Sequence, residues 1–394
     1  MDGKRFLNWV KFTNLLSFGP EGMKLELQPL NVLIGANGSG KSNFIDAMRI
    51  IQAIPVDLSI PFSRGDTASE WVNKNINNDN KKFNIEFEKI GDYTHIENND
   101  IDNLYFYYFA EIDVSKPRVK FNTEKYLYNY GLINLYNGES LGKIYNHDDD
   151  GLRSMMKKLL TEEDKIFNHT YYNSMKNILS VQEIRIYSDY DLGRYSKIRM
   201  PQNASLDPGD IFEGFENLSL VLNDLISKPE ILNLIIEKMK IFYENIINVN
   251  TRTAFGTIQL YIQELGLSET IPATRLSDGT IRFLSLLAIL LHPEPPPLIC
   301  IEEPEVGMHP DILSTIAELL IDASKQTQII ITTHSDILLS AIGKTCPEAV
   351  VVCEKGQNGT RMTRPDPEQL SKWIEENSDL GSVWMSGLMG GTRW

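Results

Sequence analysis

The stretch "NVLIGANGSGKSNFIDAMRII", from Asn31 to Ile51, decides how the rest of this chain is interpreted. Apolar residues lead into a glycine-rich turn, and an amphipathic pattern typical of a helix follows the turn. The turn fits the phosphate-loop pattern G-x-x-x-x-G-K-[ST], in which backbone amides surround an oxyanion, the lysine reaches further phosphates and the hydroxyl can bind Mg²⁺. A turn that merely caps a helix is the alternative, but the flanking strand and helix favour phosphate binding. The residues predicted to contact the triphosphate group of a nucleotide are Gly35, Ala36, Asn37, Gly38, Ser39, Gly40, Lys41, Ser42 and Asn43.

Composition limits the classes of protein to which the chain can belong. With 394 residues, 42% of them hydrophobic, it can form one large core or two ordinary ones. The longest apolar run, residues 283–291, is too short to cross a bilayer, and the N-terminus "MDGKRFLNWV" lacks the apolar segment of a signal peptide. We therefore expect a soluble cytoplasmic protein without a membrane segment.

Charge and cysteine content restrict the partners and the compartment. A net charge of −15 argues against a surface covered with nucleic-acid contacts, because these depend on clustered lysine and arginine, although one local basic groove remains compatible. The cysteines Cys300, Cys346 and Cys353 have neither the number nor the spacing of a disulfide framework or a zinc site. We interpret them as structural residues in a reducing cytoplasm.

A second motif, "PPPLICIEEPEVGMHP", begins at Pro295. Its apolar residues predict a buried parallel strand that ends on Glu302 and Glu303. Acids at the carboxyl end of such a strand lie where open α/β sheets bind ligands. In a phosphate-loop protein the first acid can hold the metal and the second can polarise the attacking water. An acidic surface loop is the alternative, but the four apolar residues in front of the acids favour a site.

A strand–helix–strand pattern continues from these acids. The sequence predicts a helix over residues 310–324 and a strand over Gln328–Thr332, which leads to His334. The strands of such a unit are parallel neighbours joined by a right-handed crossover. We therefore expect His334 to lie beside Glu303, where it could contact a γ-phosphate; a structural histidine is the alternative.

A third motif, "RLSDGTIRFLSLLAILL", occupies residues 275–291. Ser277 has the chemistry of a helix N-cap, and Gly279 allows another backbone to approach closely. The residues from Ile281 onward are too apolar for a surface helix. On its own, this motif predicts only a capped core helix.

In this order, the phosphate loop, "LSDGT", "LICIEE" and "TTH" resemble the ABC-type ATPase heads of the SMC/RecF-like superfamily, in particular the stand-alone RecF/OLD-like ATPases common in bacterial defence loci. Three further stretches, "FTNLLSFGPEGMKLELQPLNVLIG", "IEEPEVGMHP" and "GSVWMSGLMGGTRW", are also similar to that family. The resemblance is dense over residues 5–52 and 271–342. It implies an α/β fold: an ABC-type ATPase head (P-loop NTPase) with a mixed β N-lobe, a RecA-like parallel sheet and a compact α+β insertion.

The resemblance also implies an ATPase site. Mg²⁺ would lie near Ser42 and Glu302, beside an ATP molecule in the phosphate loop. Glu303 would be the catalytic base, His334 the switch histidine, and Lys41 a further catalytic group. The candidate for the glutamine that contacts the metal is Gln202, in "IRMPQNASL".

The stretch from Leu276 to Thr280 corresponds to the signature motif of the family. In related heads this motif contacts the γ-phosphate bound by a second subunit, here through Ser277, Asp278 and Gly279. The resemblance therefore implies a head-to-tail homodimer with two ATP molecules in its interface. The sequence "LSDGT" replaces the transporter motif "LSGGQ", which favours the SMC/RecF side of the superfamily over transport.

The distance between the head motifs predicts an insertion. We expect the head to comprise residues 1–60 and 260–394 and the inserted region residues 61–260, with strands in about 83–146 and helices in about 152–250. The polar residues 60–81 predict a loop, and the lack of a long heptad repeat predicts a compact insertion without a coiled-coil arm. The predicted strands are 83–88, 104–113, 118–122, 132–136 and 143–145, and the predicted helices are 152–167, 171–180, 218–226 and 229–247.

Two features of the insertion leave nucleic-acid binding open. The aromatic residues of "NLYFYYFAEI" could stack on bases, but their alternation along a strand favours a place in the core. Four lysines in predicted helices could form a basic patch, whereas solvated helix faces are the commoner outcome; they are Lys157, Lys158, Lys238 and Lys240.

The resemblance favours an ATP-hydrolysing switch that serves as sensor or regulator of an anti-phage defence system. The alternative is a DNA repair or recombination ATPase that acts directly on DNA ends, which DNA-stimulated hydrolysis would favour. A transporter domain is disfavoured by the insertion and the signature. The residues after His334 are too few for the nuclease domain of OLD-type proteins, and "EAVVVCEKGQNGTRMTR" predicts a terminal hairpin, so we expect a separate effector protein, for example a nuclease.

Overall fold

The computed structural model divides the chain into two compact units. The phosphate-loop unit comprises Arg5–Ile184, Val350–Pro365 and Met389–Trp394, and the signature unit comprises Met1–Lys4, Arg185–Ala349 and Asp366–Leu388. The described residues are 3–64, 67–74, 81–90, 105–114, 120–128, 131–134, 179–188, 190–206 and 208–389, of which 63–64, 120–128 and 131–134 are described by their backbone alone.

The strands and α-helices of the described residues are numbered in chain order. The strands are β1 (Leu7–Thr13), β2 (Met23–Glu26), β3 (Leu30–Ile34), β4 (Lys82–Ile90), β5 (Tyr105–Asp113), β6 (Lys120–Tyr128), β7 (Gly131–Asn134), β8 (Arg185–Tyr187), β9 (Gln202–Asn203), β10 (Ile246–Ala254), β11 (Thr257–Glu264), β12 (Ile271–Pro272), β13 (Leu298–Glu302), β14 (Gln328–Thr332), β15 (Val350–Gly356) and β16 (Gly359–Thr363). The helices are α1 (Lys41–Ala53), α2 (Leu218–Ile226), α3 (Pro229–Phe242), α4 (Asp278–Leu290), α5 (Leu313–Ala323), α6 (Asp336–Gly343), α7 (Pro367–Asn377) and α8 (Leu380–Met385).

The larger sheet of the phosphate-loop unit is antiparallel, with the strand order β2-β1-β4-β5-β6-β7. Buried and half-buried residues alternate along β4 and β5, because apolar side chains recur at every second position. Phe106 and Tyr108 of β5 are buried, so these aromatics belong to the core, as the alternation predicts. The insertion therefore contributes an extended antiparallel sheet to this unit.

A second group of strands in the same unit carries the phosphate loop. Strand β3 pairs with β15 in parallel, and β15 pairs with β16 in an antiparallel hairpin, which confirms the hairpin predicted near the C-terminus. All residues of β3 are buried, and the apolar face of α1 packs inward, with Phe44 5.6 Å from Phe12 between ring centroids. The turn between β3 and α1 is thus anchored at both ends by the core.

The signature unit contains the parallel strands β8, β13 and β14, with β13 paired to both of the others. Helix α5 connects β13 to β14 and follows a short 3-10 helix, Pro310–Ile312. The predicted strand–helix–strand unit with parallel neighbouring strands is therefore confirmed. Their register places Glu302 opposite Thr332 at the carboxyl ends of both strands.

In the same unit, a smaller sheet packs against the helices near the signature motif. Strand β11 pairs with β10, β12 and β9, all antiparallel. Helix α2 packs against β10, β11 and α4, and α3 packs against β10 and α4, with the rings of Phe242 and Phe283 stacked at 5.2 Å. Helix α4 is buried from Thr280 to Leu290, because eight of these eleven residues are apolar.

The predicted helix over residues 229–247 is too long. Helix α3 ends at Phe242, and the backbone of Tyr243 is extended, with φ −148° and ψ 100°. Ile246 and Ile247 join β10, because their β-branched side chains suit a strand and β11 is available for pairing. The helix predicted over 218–226 is confirmed by α2 at the same bounds.

The compact units divide the chain differently from the predicted domains. Residues from Arg185 onward, which the predicted boundaries assign to the insertion, belong to the signature unit, because β8 pairs with β13. The predicted strand 143–145 and helix 152–167 lie outside the described residues, as do Lys157, Lys158 and most of the helix predicted over 171–180. None of the described helices combines the length and apolar composition needed to cross a lipid bilayer.

Candidate functional site: a phosphate loop and an acidic strand end

The phosphate loop lies between a buried strand and a helix, as the sequence predicts. Helix α1 begins at Lys41, directly after the turn. Gly40 precedes the helix and has a φ of 105°, a conformation that favours glycine. A β-carbon at this position would lie 2.4 Å from Thr360 Oγ1, so a larger residue would displace that side chain. Glycine at position 40 therefore allows the chain to turn sharply into α1.

The loop fits an anion such as a nucleotide phosphate. The N-cap residue of α1 is Gly40, which has no side chain to bond the first amides of the helix, where the backbone amides and the helix dipole favour negative charge. The Ser39 hydroxyl is buried and has no hydrogen-bond partner within the described structure. No atom lies within 4 Å of the place that a β-carbon on Gly38 would occupy, so a ligand can approach the backbone there.

Lys41 is held against the inner side of the loop. Its Nζ atom donates hydrogen bonds to the carbonyl oxygens of Gly35, at 2.8 Å, and Ala36, at 3.2 Å. Lys41 is only 6% exposed, so its ammonium group lies against the loop rather than in solvent. Burial raises the pKa of the nearby Cys353 thiol to about 12 against the opposing effect of Lys41, so this thiol is protonated at neutral pH. This state agrees with the structural role predicted for the three cysteines, all of which are buried.

The hairpin of β15 and β16 supports the loop from outside the motif. The Thr360 hydroxyl donates a hydrogen bond to the carbonyl oxygen of Ser39 at 2.9 Å and lies 2.7 Å from the Ser17 hydroxyl. Thr360 is 4% exposed, which places these hydrogen bonds in a dry environment. The position of the loop therefore depends on a residue more than three hundred positions away in sequence.

The acidic pair lies at the carboxyl end of β13 in the signature unit, with Glu302 as the last residue of the strand and Glu303 directly after it. Glu303 has a φ of 44°, a conformation that costs a non-glycine residue about 1–3 kcal/mol and is common at functional sites. Its backbone N–H donates to the carbonyl oxygen of Thr332 at 3.1 Å and lies 3.2 Å from the Thr332 hydroxyl. These contacts turn the chain out of the strand immediately after Glu302.

His334 lies beside Glu303, as the strand–helix–strand pattern predicts. The distance between His334 Nε2 and Glu303 Oε1 is 3.7 Å, and the pair is ionic when the histidine is protonated. The two side chains are 35% and 43% exposed, so a ligand can reach both. A carboxylate and an imidazole at this distance can accept a proton from water and donate one to an anion.

Glu305 ties together the loops that carry these two residues. Its Oε1 atom accepts hydrogen bonds from the Thr333 hydroxyl at 2.7 Å and from the His334 backbone N–H at 2.8 Å. Burial raises the pKa of the Glu305 carboxyl, while both hydrogen bonds oppose that increase. Glu305, the third glutamate of "EEPE", therefore has a definite structural role that the sequence pattern did not reveal.

The signature motif forms the exposed N-terminus of α4. Ser277 Oγ accepts a hydrogen bond from the Thr280 backbone N–H at 3.1 Å, which confirms the predicted N-cap. Ser277 and Asp278 are exposed, whereas the helix behind them is buried. A β-carbon on Gly279 would lie 3.1 Å from the carbonyl oxygen of Gly307, so glycine allows the close backbone approach that was predicted.

Arg199 holds the segment before α4 in place. It is 2% exposed, and it donates hydrogen bonds to the carbonyl oxygens of Ala273, at 3.0 Å, and Leu276, at 2.6 Å. It also donates to the Leu192 carbonyl at 3.0 Å and pairs with the Asp278 carboxylate. Sequence reasoning missed this residue, because nothing in "SKIRM" indicates which carbonyls it meets.

We expect Arg199→Met to lower the free energy of unfolding by about 3 kcal/mol, because three backbone carbonyls lose a buried donor at about 1 kcal/mol each. Asp278→Asn is the matched control and should cost less than about 1 kcal/mol, because the Asp278 side chain is 73% exposed. Urea unfolding followed by circular dichroism measures both. Equal stability of the two variants would show that the carbonyl contacts contribute little.

Gln202 does not fit the metal-binding role predicted for it. Its Oε1 atom accepts hydrogen bonds from the backbone N–H groups of Ser219, at 2.9 Å, and Leu220, at 3.2 Å. The residue is 7% exposed, so the oxygen that would bind a metal caps the start of α2 inside the unit. Within the part of the chain that the structure describes, no group of three or more His, Cys, Asp or Glu side chains is arranged to hold a metal ion.

The structure thus brings together some of the predicted site residues. Glu302, Glu303 and His334 meet at the ends of neighbouring strands, and the signature residues lie in the same unit. The residues of the phosphate loop, 35–43, cluster in the phosphate-loop unit.

Comparisons with known proteins agree with these features. Residues 30–340, well over half of the chain, match the family described as "AAA domain, putative AbiEii toxin, Type IV TA system". A segment of 82 residues is 37% identical to the Old nuclease of Escherichia phage P2 and covers 21% of this chain but only 14% of the nuclease. The chain therefore matches about one seventh of that relative's length.

The fold resembles that of solved SMC heads. An SMC head bound to the C-terminal winged-helix domain of ScpA aligns with a TM-score of 0.57 and 13% identity, and covers 93% of this chain and 99% of that one. An Smc head domain with an extended coiled coil, bound to the C-terminal domain of ScpA and derived from Pyrococcus furiosus, aligns with a TM-score of 0.59 and 13% identity. The alignment covers 94% of this chain and 99% of that one. The predicted fold class, a P-loop ATPase head, is confirmed. The chain belongs to the family described as "AAA domain, putative AbiEii toxin, Type IV TA system"; it is an AAA-type ATPase that has the fold of SMC heads and is similar over 82 residues to the Old nuclease.

Proposed function

We propose that this protein hydrolyses ATP to ADP and phosphate as the chemical step of a cytoplasmic molecular switch. The observation that carries the proposal is the pair of Glu303 and His334, 3.7 Å apart and accessible to a ligand. The pair follows the carboxyl ends of parallel strands, the edge at which α/β sheets bind ligands. Membership in an ATPase family supports the same activity.

The phosphate loop would bind the nucleotide. Amides at the start of α1 would bind the phosphates, and the buried charge of Lys41 would lie against the β- and γ-phosphates. We propose Ser42 and Glu302 as the Mg²⁺ ligands. The proposal is based on the chemistry of their side chains, since hard cations prefer oxygen ligands. Mg²⁺ bound by them would neutralise charge that develops on the phosphates.

Glu303 would act as the general base. It would accept a proton from the attacking water as the water oxygen bonds to the γ-phosphorus and the bond from that phosphorus to the bridging oxygen of ADP breaks. His334, when protonated, would donate a hydrogen bond to a γ-phosphate oxygen and so stabilise the charge on the phosphoryl group that is transferred to water. The strained backbone conformation of Glu303 supports a catalytic role for this residue, because such conformations cluster at functional sites.

The signature motif would act in a second subunit. Ser277, Asp278 and Gly279 would contact the γ-phosphate held by the partner's phosphate loop, giving a head-to-tail homodimer with two ATP molecules. The exposure of Ser277 and Asp278 at a helix N-terminus supports this assignment, because free amides and the helix dipole there favour an anion. ATP binding would close the dimer, and hydrolysis would reopen it.

We further propose that this switch serves as the sensor or regulator of an anti-phage defence system and acts through a separate effector protein. The family description names a toxin of a TA system, and one relative is a phage nuclease, which supports a role in the conflict between bacteria and phages. Direct action on DNA ends, as in repair or recombination, is the alternative function.

Phosphate release from purified protein with Mg-ATP tests the proposal, with and without linear duplex DNA. The proposed function predicts steady release that DNA does not stimulate, and co-purification of a partner from its native host. Release that rises strongly with DNA ends would support the alternative. No release above that of a Glu303→Gln preparation, which controls for contaminating ATPases, would contradict hydrolysis by this chain.

A further inference from the structure

Two side chains hold the backbone on either side of the Glu303–His334 pair. Arg282 of α4 donates a hydrogen bond from Nη2 to the carbonyl oxygen of Glu303 at 2.7 Å. Glu305 accepts the hydrogen bond from the backbone N–H of His334 at 2.8 Å. One bond therefore fixes the glutamate's peptide and the other fixes the histidine's peptide.

Arg282 is itself held by an aromatic ring. Its guanidinium lies 3.7 Å from the centroid of the Tyr190 ring, a cation–π contact in a buried setting where Arg282 is 7% exposed. The Tyr190 ring stacks in turn on Phe215, with centroids 4.7 Å apart and planes at 22°. The contacts orient the guanidinium from its face and leave its edge directed at the Glu303 carbonyl.

Three other polar atoms of these residues make no hydrogen bond within the described residues. Tyr190 Oη, Arg282 Nε and Glu305 Oε2 are buried and have no hydrogen-bond partner within the described residues. Buried unpaired polar atoms destabilise a fold, so their presence together is a cost that stability alone does not explain. Arg282 bonds directly to the carbonyl oxygen of Glu303, the residue with the strained backbone, and Tyr190 lies against the Arg282 guanidinium.

We propose that Arg282 and Glu305 are positioning residues that hold the Glu303–His334 pair in its hydrolytic geometry, with Tyr190 orienting Arg282. The inference rests on the proposed ATP hydrolysis. Neither residue needs to touch ATP or the attacking water, because each acts on a backbone atom of a catalytic residue. A displacement of a catalytic group by about 1 Å can lower the rate by about 100-fold.

The first test compares Arg282→Met with Arg252→Met. Arg252 makes a similar contact, 4.7 Å from the Tyr261 ring, but lies in β10 and outside the proposed site. We expect Arg282→Met to lower kcat by about 10- to 100-fold with KM for ATP changed less than about twofold, because the nucleotide contacts are intact. Arg252→Met should keep the wild-type kcat and KM.

The second test compares Glu305→Leu with Glu305→Gln. The glutamine oxygen can still accept the hydrogen bonds from Thr333 and His334, whereas leucine cannot. We expect Glu305→Leu to lose kcat by about 10-fold or more at unchanged KM, and Glu305→Gln to recover most of that loss. Equal losses in the two variants would contradict a role as backbone acceptor.

Hydrogen exchange in the absence of nucleotide gives a readout that does not depend on hydrolysis. The Glu303 amide is bonded to Thr332, and the Val306 amide to Glu303, so a peptide over residues 301–309 reports on this segment. We expect exchange in that peptide to be faster by about 10-fold in Arg282→Met and unchanged in Arg252→Met. Unchanged exchange and unchanged kcat in Arg282→Met would overturn the inference.

Failure of the positioning role can be distinguished from failure of the proposed ATP hydrolysis. If the wild type releases phosphate and Glu303→Gln does not, the proposed function stands, and wild-type kcat in Arg282→Met would contradict only the positioning role. If the wild type releases no phosphate, the proposed function fails, and the exchange experiment alone still decides whether Arg282 holds the Glu303 segment.

Discussion

Glu303→Gln is expected to slow ATP hydrolysis by about 100- to 10,000-fold, the contribution of a general base to catalysis. Glutamine keeps the size of the side chain but cannot accept the proton of the attacking water. The backbone contacts that hold position 303 involve only its N–H and carbonyl groups, so the substitution should leave the fold intact. Phosphate release at saturating Mg-ATP measures the loss, and equilibrium binding of a fluorescent ATP analogue should change less than about threefold.

Glu318→Gln is the control for this prediction. Glu318 is an exposed glutamate on α5, away from the ends of β13 and β14, and its substitution should leave turnover at the wild-type level. Wild-type turnover in Glu303→Gln would mean that another residue activates the water. Loss of nucleotide binding in Glu303→Gln would mean that Glu303 serves the nucleotide or the metal rather than the water.

Lys41→Met is expected to weaken ATP binding by about 10- to 150-fold, because a charge-assisted hydrogen bond contributes about 1.5–3 kcal/mol. Methionine fills a similar volume at a position that is 6% exposed, so the main change is the loss of the charge. The carbonyls of Gly35 and Ala36 lose their donor, so thermal unfolding should be measured alongside the ATP titration.

Lys355→Met is the control for Lys41→Met. Lys355 is an exposed lysine of β15 in the same unit, so its loss removes one positive charge without touching the loop. It should bind ATP as the wild type does. A folded Lys41→Met protein with wild-type affinity would show that the loop binds the nucleotide through its backbone alone.

The sequence predicted those parts of the site that depend on local patterns. The phosphate loop followed from its spacing, the N-cap at Ser277 from the chemistry of its hydroxyl, and the meeting of Glu303 with His334 from a strand–helix–strand order that leaves one parallel arrangement. The alternation along β4 and β5 likewise identified strands with one buried face.

Contacts between segments that are distant in the chain could not be predicted from local sequence patterns. Thr360 supports the phosphate loop and Arg199 supports the signature only because strands and turns far apart in the chain lie side by side. Gln202 looked like a metal-binding glutamine, but its carbonyl oxygen caps a helix. The end of α3 was placed too late because Ile246 and its neighbours suit either a helix or a strand, and pairing with β11 decides between them.

The central claim is that ATP joins two heads through the signature motif, and the solution mass of Glu303→Gln tests it most directly. Multi-angle light scattering with and without Mg-ATP should show a change from one chain to two when ATP binds, because we expect the variant to bind ATP and to hydrolyse it too slowly to reopen the dimer during the measurement. Adding Ser277→Arg should abolish the change by placing a bulky side chain at the contact. Thermal unfolding checks that the double variant is folded, since loss of the Ser277 N-cap lowers the free energy of unfolding by about 1 kcal/mol. A mass that stays constant while ATP is bound would contradict the account.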